Sequence, residues 1–151
     1  MKKPLLIIDV QVSCAKNPDI IKKIEKIQYD YDTVYVSRFV NEGSYLLPLT
    51  AWDGYEDERL AFTPAPHAKV FDKTTYSSFL PEMKAFDEMH LCGYDTDSCV
   101  FKTALDMIEN NVRPVVLADL CGSENEEYHK QGLFLLTRNI GKRNIAVSGG
   151  V

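Results

Sequence analysis

No apolar run in this chain approaches the roughly 18 residues that a membrane-spanning helix needs, so an integral helical membrane protein is not expected. Basic charge is not in excess either. Seventeen Lys plus Arg stand against 22 Asp plus Glu, a net charge of -5 with a pI near 5.2, which gives no electrostatic reason to expect nucleic acid or an anionic membrane surface as a partner. The four cysteines, at 14, 92, 99 and 121, form no C-x-x-C pair, and a chain of this size folds without disulfides. The three histidines, at 67, 90 and 129, have no metal-ligand spacing. The first apolar segment, Leu5 to Ile8, is too short for the core of a secretory signal, and no small-residue cleavage site follows it. These absences lead to the expectation of a cytoplasmic protein with reduced thiols and no metal. Internal repeats and low-complexity tracts are missing as well, which excludes solenoids and disordered arrays.

What is present is the composition of one ordinary folded unit: 151 residues, 45% hydrophobic and 26% charged, expected to form a single domain over 1–151. Leu5-Leu6-Ile7-Ile8-Asp9-Val10 is a continuous apolar run interrupted only by a carboxylate, the pattern of a strand buried on both faces. Asn17-Pro18 opens a helix whose apolar face is Ile20, Ile21, Ile24 and Ile27, and residues 33–37 read as a second strand from their β-branched and aromatic content. Residues 38–69 show no clean period and carry Gly43, Pro48, Gly54, Pro64 and Pro66. A long loop-rich excursion of that kind is usually functional. Short strands are expected at 70–72, 88–92, 114–119 and 144–148, with a brief helix near 81–86 and longer helices from Cys99 to about Asn110 and over 124–139. Alternating strands and helices imply a three-layer, Rossmann-like α/β fold. Its six-stranded, mostly parallel sheet is expected in the order 3-2-1-4-5-6.

The stretch Gly93-Tyr94-Asp95-Thr96-Asp97-Ser98-Cys99-Val100 lies between a strand and a helix whose apolar residues recur at 101, 104, 105 and 108. Cys99 therefore falls in the first turn of that helix. Unpaired N–H groups and the positive end of the dipole there favour a thiolate and can hold an oxyanion. The same residues also read as a capping turn, since Asp95, Thr96, Asp97 and Ser98 are all good N-caps and a small buried cysteine often follows as core. In a doubly wound sheet ligands bind outside the carboxyl ends of the strands. Asp9, Lys73 and Cys99 all fall on that edge, joined there by Asp119 and Cys121. A thiol nucleophile, a cation and a proton-accepting carboxylate are chemically complementary.

These residues resemble the isochorismatase-like cysteine hydrolases, which include nicotinamidases and N-carbamoylsarcosine amidase. The resemblance is carried by Leu5-Leu6-Ile7-Ile8-Asp9-Val10-Gln11, by Asp72-Lys73-Thr74-Thr75-Tyr76-Ser77-Ser78-Phe79 and by the cysteine turn, with weaker support from Asp119 and from His129-Lys130-Gln131-Gly132-Leu133. It implies that Cys99 is the nucleophile, Asp9 its proton acceptor and later acid, and Lys73 the cation between them. It further implies a cis peptide between Tyr94 and Asp95, an oxyanion hole from the N–H groups of Asp95 and Cys99, and a homo-oligomer acting on a small molecule without a cofactor. The reaction it implies is cleavage of an amide or carbamoyl C–N bond. Ether hydrolysis of the isochorismatase type and a catalytically silent binding domain are the alternatives. Metal-dependent nicotinamidases carry an Asp-x-His motif with a further His after the second strand, whereas this chain reads Ser37-Arg38-Phe39-Val40-Asn41 there. Gln11, Arg38, Phe39, Asn41, Tyr45 and Trp52 are the candidate substrate contacts, the polar ones for hydrogen bonds and the aromatic ones as walls.

Overall fold

The computed structural model describes residues 3–151, so the first two residues of the expected domain lie outside the description. The strands are β1 (Leu5–Ile8), β2 (Val34–Phe39), β3 (Lys69–Lys73), β4 (Glu88–Tyr94), β5 (Arg113–Gly122) and β6 (Ile145–Ala146). They form one sheet in the order β3-β2-β1-β4-β5-β6, with every neighbouring pair parallel. The helices are α1 (Pro18–Ile27), α2 (Leu46–Thr50), α3 (Cys99–Glu109) and α4 (Glu126–Ile140).

β1 has no polar side and all four of its side chains are fully buried, as the middle of a parallel sheet requires. The pleat sends Leu6 and Ile8 into the core shared with α3 and α4, and Leu5 and Ile7 into the core shared with α1. Asn17 caps α1 by accepting from the N–H groups of Asp19 and Ile20, and Pro18 stands at the first helical position where its missing N–H costs nothing.

Several elements differ from the sequence reading, each for a local reason. The deep face of α3 is Val100, Thr103, Ala104 and Met107, one step behind the stripe at 101, 104, 105 and 108, and Ile108 is exposed. That rotation puts the Thr103 hydroxyl inside, where it donates to Cys99 O at 2.6 Å and accepts from Ser78 N–H at 2.9 Å. β5 runs on to Gly122 because its register against β4 slips between Leu91 and Gly93, so Cys121 lies within the strand. Asp119 turns to the C-terminal residues, accepting from Ser148 N at 2.7 Å and Ser148 Oγ at 2.5 Å, and does not join Asp9 and Cys99. β6 shrinks to two residues, and residues 81–85 form a 3-10 turn in place of a helix.

The excursion after β2 is ordered. Val12 N–H donates to Arg59 O at 2.9 Å and Ala61 N–H to Val10 O at 2.8 Å, so residues 57–61 fold back beside the segment that leaves β1. The intervening loop, with the short α2 in it, is thereby laid over the carboxyl edge of the sheet.

Candidate active site

Asp9 follows directly on β1 with φ 47°, a left-handed conformation that Asp tolerates better than most residues. The bend turns its side chain into the sheet edge, where it is fully buried. Ser37, at the matching height on β2, donates to Asp9 Oδ1 at 2.8 Å, while the Asp9 N–H donates to Ser37 O at 3.2 Å. Lys73, the last residue of β3, puts Nζ 2.8 Å from Asp9 Oδ2. The ammonium directs its hydrogens at the carbonyls of Thr75 and Tyr76, both at 2.7 Å. No formed hydrogen bond reaches Asp9 Oδ2, so the contact with Lys73 is ionic.

Cys99 opens α3. The turn before it requires Gly93, whose φ is 122° and where a Cβ would sit 2.0 Å from Ile8 O. The Tyr94–Asp95 peptide is cis. Thr96 pins the turn from behind: its N–H and hydroxyl donate to Gly122 O at 2.9 and 3.1 Å, and its oxygen pairs with His129 Nδ1 at 2.7 Å. Ser98, the cap residue of α3, makes no side-chain capping bond. Among the described residues, the N–H groups of Asp95 and Cys99 donate to no other group, so both are available to an oxyanion.

Cys99 lies close enough to Asp9 and Lys73 for both charges to act on its thiol. Burial pushes its ionisation well above the ordinary thiol range, the Asp9 charge pushes it further, and Lys73 opposes both. Counting the helix dipole and Lys73 against Asp9 alone suggests a resting thiolate. Desolvation reverses that outcome and leaves Cys99 as a protonated thiol.

Asp9 and Cys99 are also joined through the interior. Ser37 Oγ and Ser78 Oγ are 2.7 Å apart, and Ser78 N–H donates to Thr103 Oγ1, which in turn donates to Cys99 O. Ser37, Ser78 and Thr103 are buried; Ser78 stands in the lysine motif and Ser37 at the head of the stretch after the second strand, but the sequence assigns a role to none of the three.

A cavity of about 770 Å³ opens over Cys99, with Asp95, Ser98 and Cys14 around the thiol and Phe39, Trp52, Tyr55 and Tyr76 among its walls. Phe39, Trp52 and Tyr55 pack as a three-ring cluster with centroids 5.2 to 5.6 Å apart. The other candidate contacts do not line this cavity. Gln11 is fully buried and braces the excursion, donating to Phe39 O and Glu58 O at 2.8 Å. Arg38 is held by Asp72 in a bidentate pair at 2.8 and 2.9 Å. The Asn41 side-chain amide clamps the Tyr55 backbone: its Nδ2 donates to Tyr55 O at 2.7 Å and its Oδ1 accepts from Tyr55 N–H at 2.9 Å. Tyr45 precedes α2 with 80% of its surface exposed. Tyr55 and Tyr76 were missed. Tyr76 stands in the lysine motif three residues past Lys73, a usable signal, whereas Tyr55 has only Gly54 before it in an aperiodic loop.

The donor set for a metal does not form beside Asp9. Residues 38–41 supply no imidazole, and the Arg38 guanidinium is paired with Asp72, so no step is assigned to a metal. Among the described residues no three His, Cys, Asp or Glu side chains gather as ligands anywhere else.

Residues 4–142 match the family model described as the isochorismatase domain. Isochorismatase domain-containing protein 2 of Xenopus laevis is 31% identical over 81 residues, covering 49% of this chain and 38% of the relative. An isochorismatase family protein, PncA, of Bacillus subtilis (strain 168) is 35% identical over 83 residues, covering 50% and 45%. These matches span less than half the length of those relatives. Among solved structures, nicotinamidase PncA from Bacillus subtilis superposes with a TM-score of 0.77 at 23% identity over 97% of this chain and 99% of that one. N-carbamoylsarcosine amidase from Thermoplasma acidophilum gives 0.69 at 21% identity over 97% and 95%. At such identities the likeness establishes a common fold.

Proposed function

This chain belongs to the isochorismatase family, and on that premise we propose that it hydrolyses the C–N bond of a small amide or carbamoyl compound through a thioester to Cys99. The observation that carries the reading is the convergence of Asp9, Lys73 and Cys99 from three separate elements, with Nζ 2.8 Å from the Asp9 carboxylate and the thiol under the influence of both charges. The fold shared with a nicotinamidase and an N-carbamoylsarcosine amidase supports the choice of bond.

In this reading Asp9 takes the thiol proton as the sulfur attacks the carbonyl carbon. Lys73 keeps that carboxylate from simply repelling the developing thiolate. The new S–C bond places a negative oxygen against the N–H groups of Asp95 and Cys99, donors that the turn holds in place beforehand. Collapse of the tetrahedral intermediate breaks the C–N bond, and Asp9 returns its proton to the departing amine. Water then gives a proton to Asp9 and attacks the thioester, and the carboxylic acid leaves as the thiol is reprotonated.

A screen of small amides for ammonia release, run with the wild type and Cys99→Ala side by side, tests this. Release is expected from the wild type alone. Equal release from both proteins would remove the covalent route, and release from neither across a broad panel would favour a binding domain.

A further inference from the structure

Charge around the cavity is one-sided. Asp95, Glu56 and Glu124 line it against Lys16 alone, and the Lys16 ammonium is spent on Val12 O at 2.8 Å. The nearby cations are committed elsewhere: Arg38 to Asp72, and Lys73 beneath Phe39, 5.7 Å from the ring centroid, to Asp9 and two carbonyls. Of the three lining carboxylates, Asp95 is the nearest in sequence to Cys99, and its own N–H is one of the two oxyanion donors in the proposed reaction. Its Oδ1 is buried with no hydrogen-bond partner. Trp52, Tyr55 and Tyr76 line the same cavity.

We propose that this cavity selects amides carrying a positive charge, an ammonium or guanidinium group a short chain away from the reacting carbonyl, held by Asp95 with Glu124 beside it and covered by the aromatic wall. The site itself stands on the cavity and the nucleophile, and this inference rests on the hydrolase reading. A carboxylate-bearing substrate would meet Asp95 and Glu124 with like charge and find no uncommitted cation among the described lining residues. A cation would meet a partly desolvated carboxylate whose Oδ1 has no hydrogen-bond partner, in a cavity also lined by aromatic side chains.

Asp95 supplies a pH signature. Burial first, then Asp97, Asp9 and Glu124, raise its carboxyl to about 7, and every charged group named as acting on it is acidic. A bound cation favours the ionised form, so affinity for a cationic ligand should rise as pH increases through about 7 and then level off. If Asp95 worked instead as a neutral hydrogen-bond donor, affinity would fall over the same interval.

The test uses three primary amides of similar length: γ-aminobutyramide, neutral valeramide and anionic succinamate. Binding to Cys99→Ala is followed by calorimetry across that pH interval, apart from any turnover. The cationic amide should bind about tenfold or more tightly than the neutral one, and succinamate most weakly. Adding Asp95→Asn should collapse the cationic-to-neutral ratio toward one. Glu124→Gln, further from the turn, should reduce it in part and serves if the first variant does not fold. Equal binding of all three amides, a preference that survives both substitutions, no measurable binding at millimolar concentration, or affinity for the cation falling with pH would each overturn the inference. The hydrolase reading fails separately, if the wild type binds the cationic amide but releases no ammonia from any of the three. Ammonia release without charge preference would keep that reading and remove this one.

Discussion

At the scale of single residues, burial makes Asp9 necessary to the proposed reaction. With its thiol pushed far up, Cys99 is protonated at neutral pH, and Asp9 is both the base that can relieve it and a charge that opposes its ionisation. Asp9→Asn should therefore have opposite effects on two measurements. Turnover should fall by about 10² to 10⁴, the usual worth of a positioned base. Alkylation of Cys99 by iodoacetamide, which needs thiolate and no acid, should hold steady or quicken because the opposing charge is gone. Ser37→Ala, which removes the 2.8 Å bond to Asp9 Oδ1, should lower turnover about tenfold and leave alkylation near wild type. Peptide mass spectrometry beside an ammonia assay reads both quantities. Parallel loss of turnover and labelling would mean that these side chains merely hold the site together. Asp9, Lys73 and Cys99 are legible in sequence because each ends or follows an apolar strand run and falls on one sheet edge. Ser37, Ser78 and Thr103 are not, because a buried hydroxyl has the same signature as any small strand or helix residue until its partner from another element is known.

At the scale of elements, the position of Cys99 depends on how α4 packs against the cysteine turn. Gly132 is the point of closest approach: a Cβ there would meet Asp97 N and the Thr96 carbonyl carbon, both at 2.8 Å, and these are backbone atoms with nowhere to go. His129, three residues earlier on α4, pairs with Thr96, the residue that fastens the turn to Gly122. Gly132→Ala must push the helix and the turn apart. It should cost about 1 to 3 kcal/mol of stability, as overpacking commonly does, and should cut turnover of any substrate found by more than the small unfolded fraction explains. Urea unfolding and a specific activity corrected for folded protein would show it. Full activity per folded molecule would mean that the turn tolerates displacement and that α4 only covers it. The His-x-x-Gly spacing is visible in the sequence, but its meaning requires knowing that α4 crosses the turn. The register of α3 was misread for a related reason: two overlapping apolar stripes fit a 3.6-residue period, and the bonds of Thr103 to Cys99 and Ser78 select between them.

At the scale of the molecule, the sheet order follows from alternating strands and helices and from the handedness of parallel crossovers, so it was readable without coordinates. The cavity was not, because residues 40–68 have no period and are placed by pairing back onto residues 10–13 and by Gln11 and Asn41 acting as braces. Holding acids under that loop should leave a mark on global stability. Asp95 ionises near 3.8 when unfolded and at about 7 when folded, so between those values the folded chain binds more protons than the unfolded one. Stability must then decline as pH rises through that window, and above about 7 the full cost of the buried charge is present. Its upper bound is about 4 kcal/mol, from roughly three pH units at about 1.4 kcal/mol each. His90 acts in the opposite direction. Burial lowers its folded pKa below 6.5, so its contribution is lost as pH falls through that value, and the two slopes partly cancel in the wild type. Asp95→Asn removes one and leaves the other. Its stability should match wild type near pH 4, exceed it increasingly toward pH 8, and climb where the wild-type curve is flat or falling. Unfolding in urea at a series of pH values measures both curves, and parallel curves for the two proteins would show that Asp95 carries no buried charge at neutral pH.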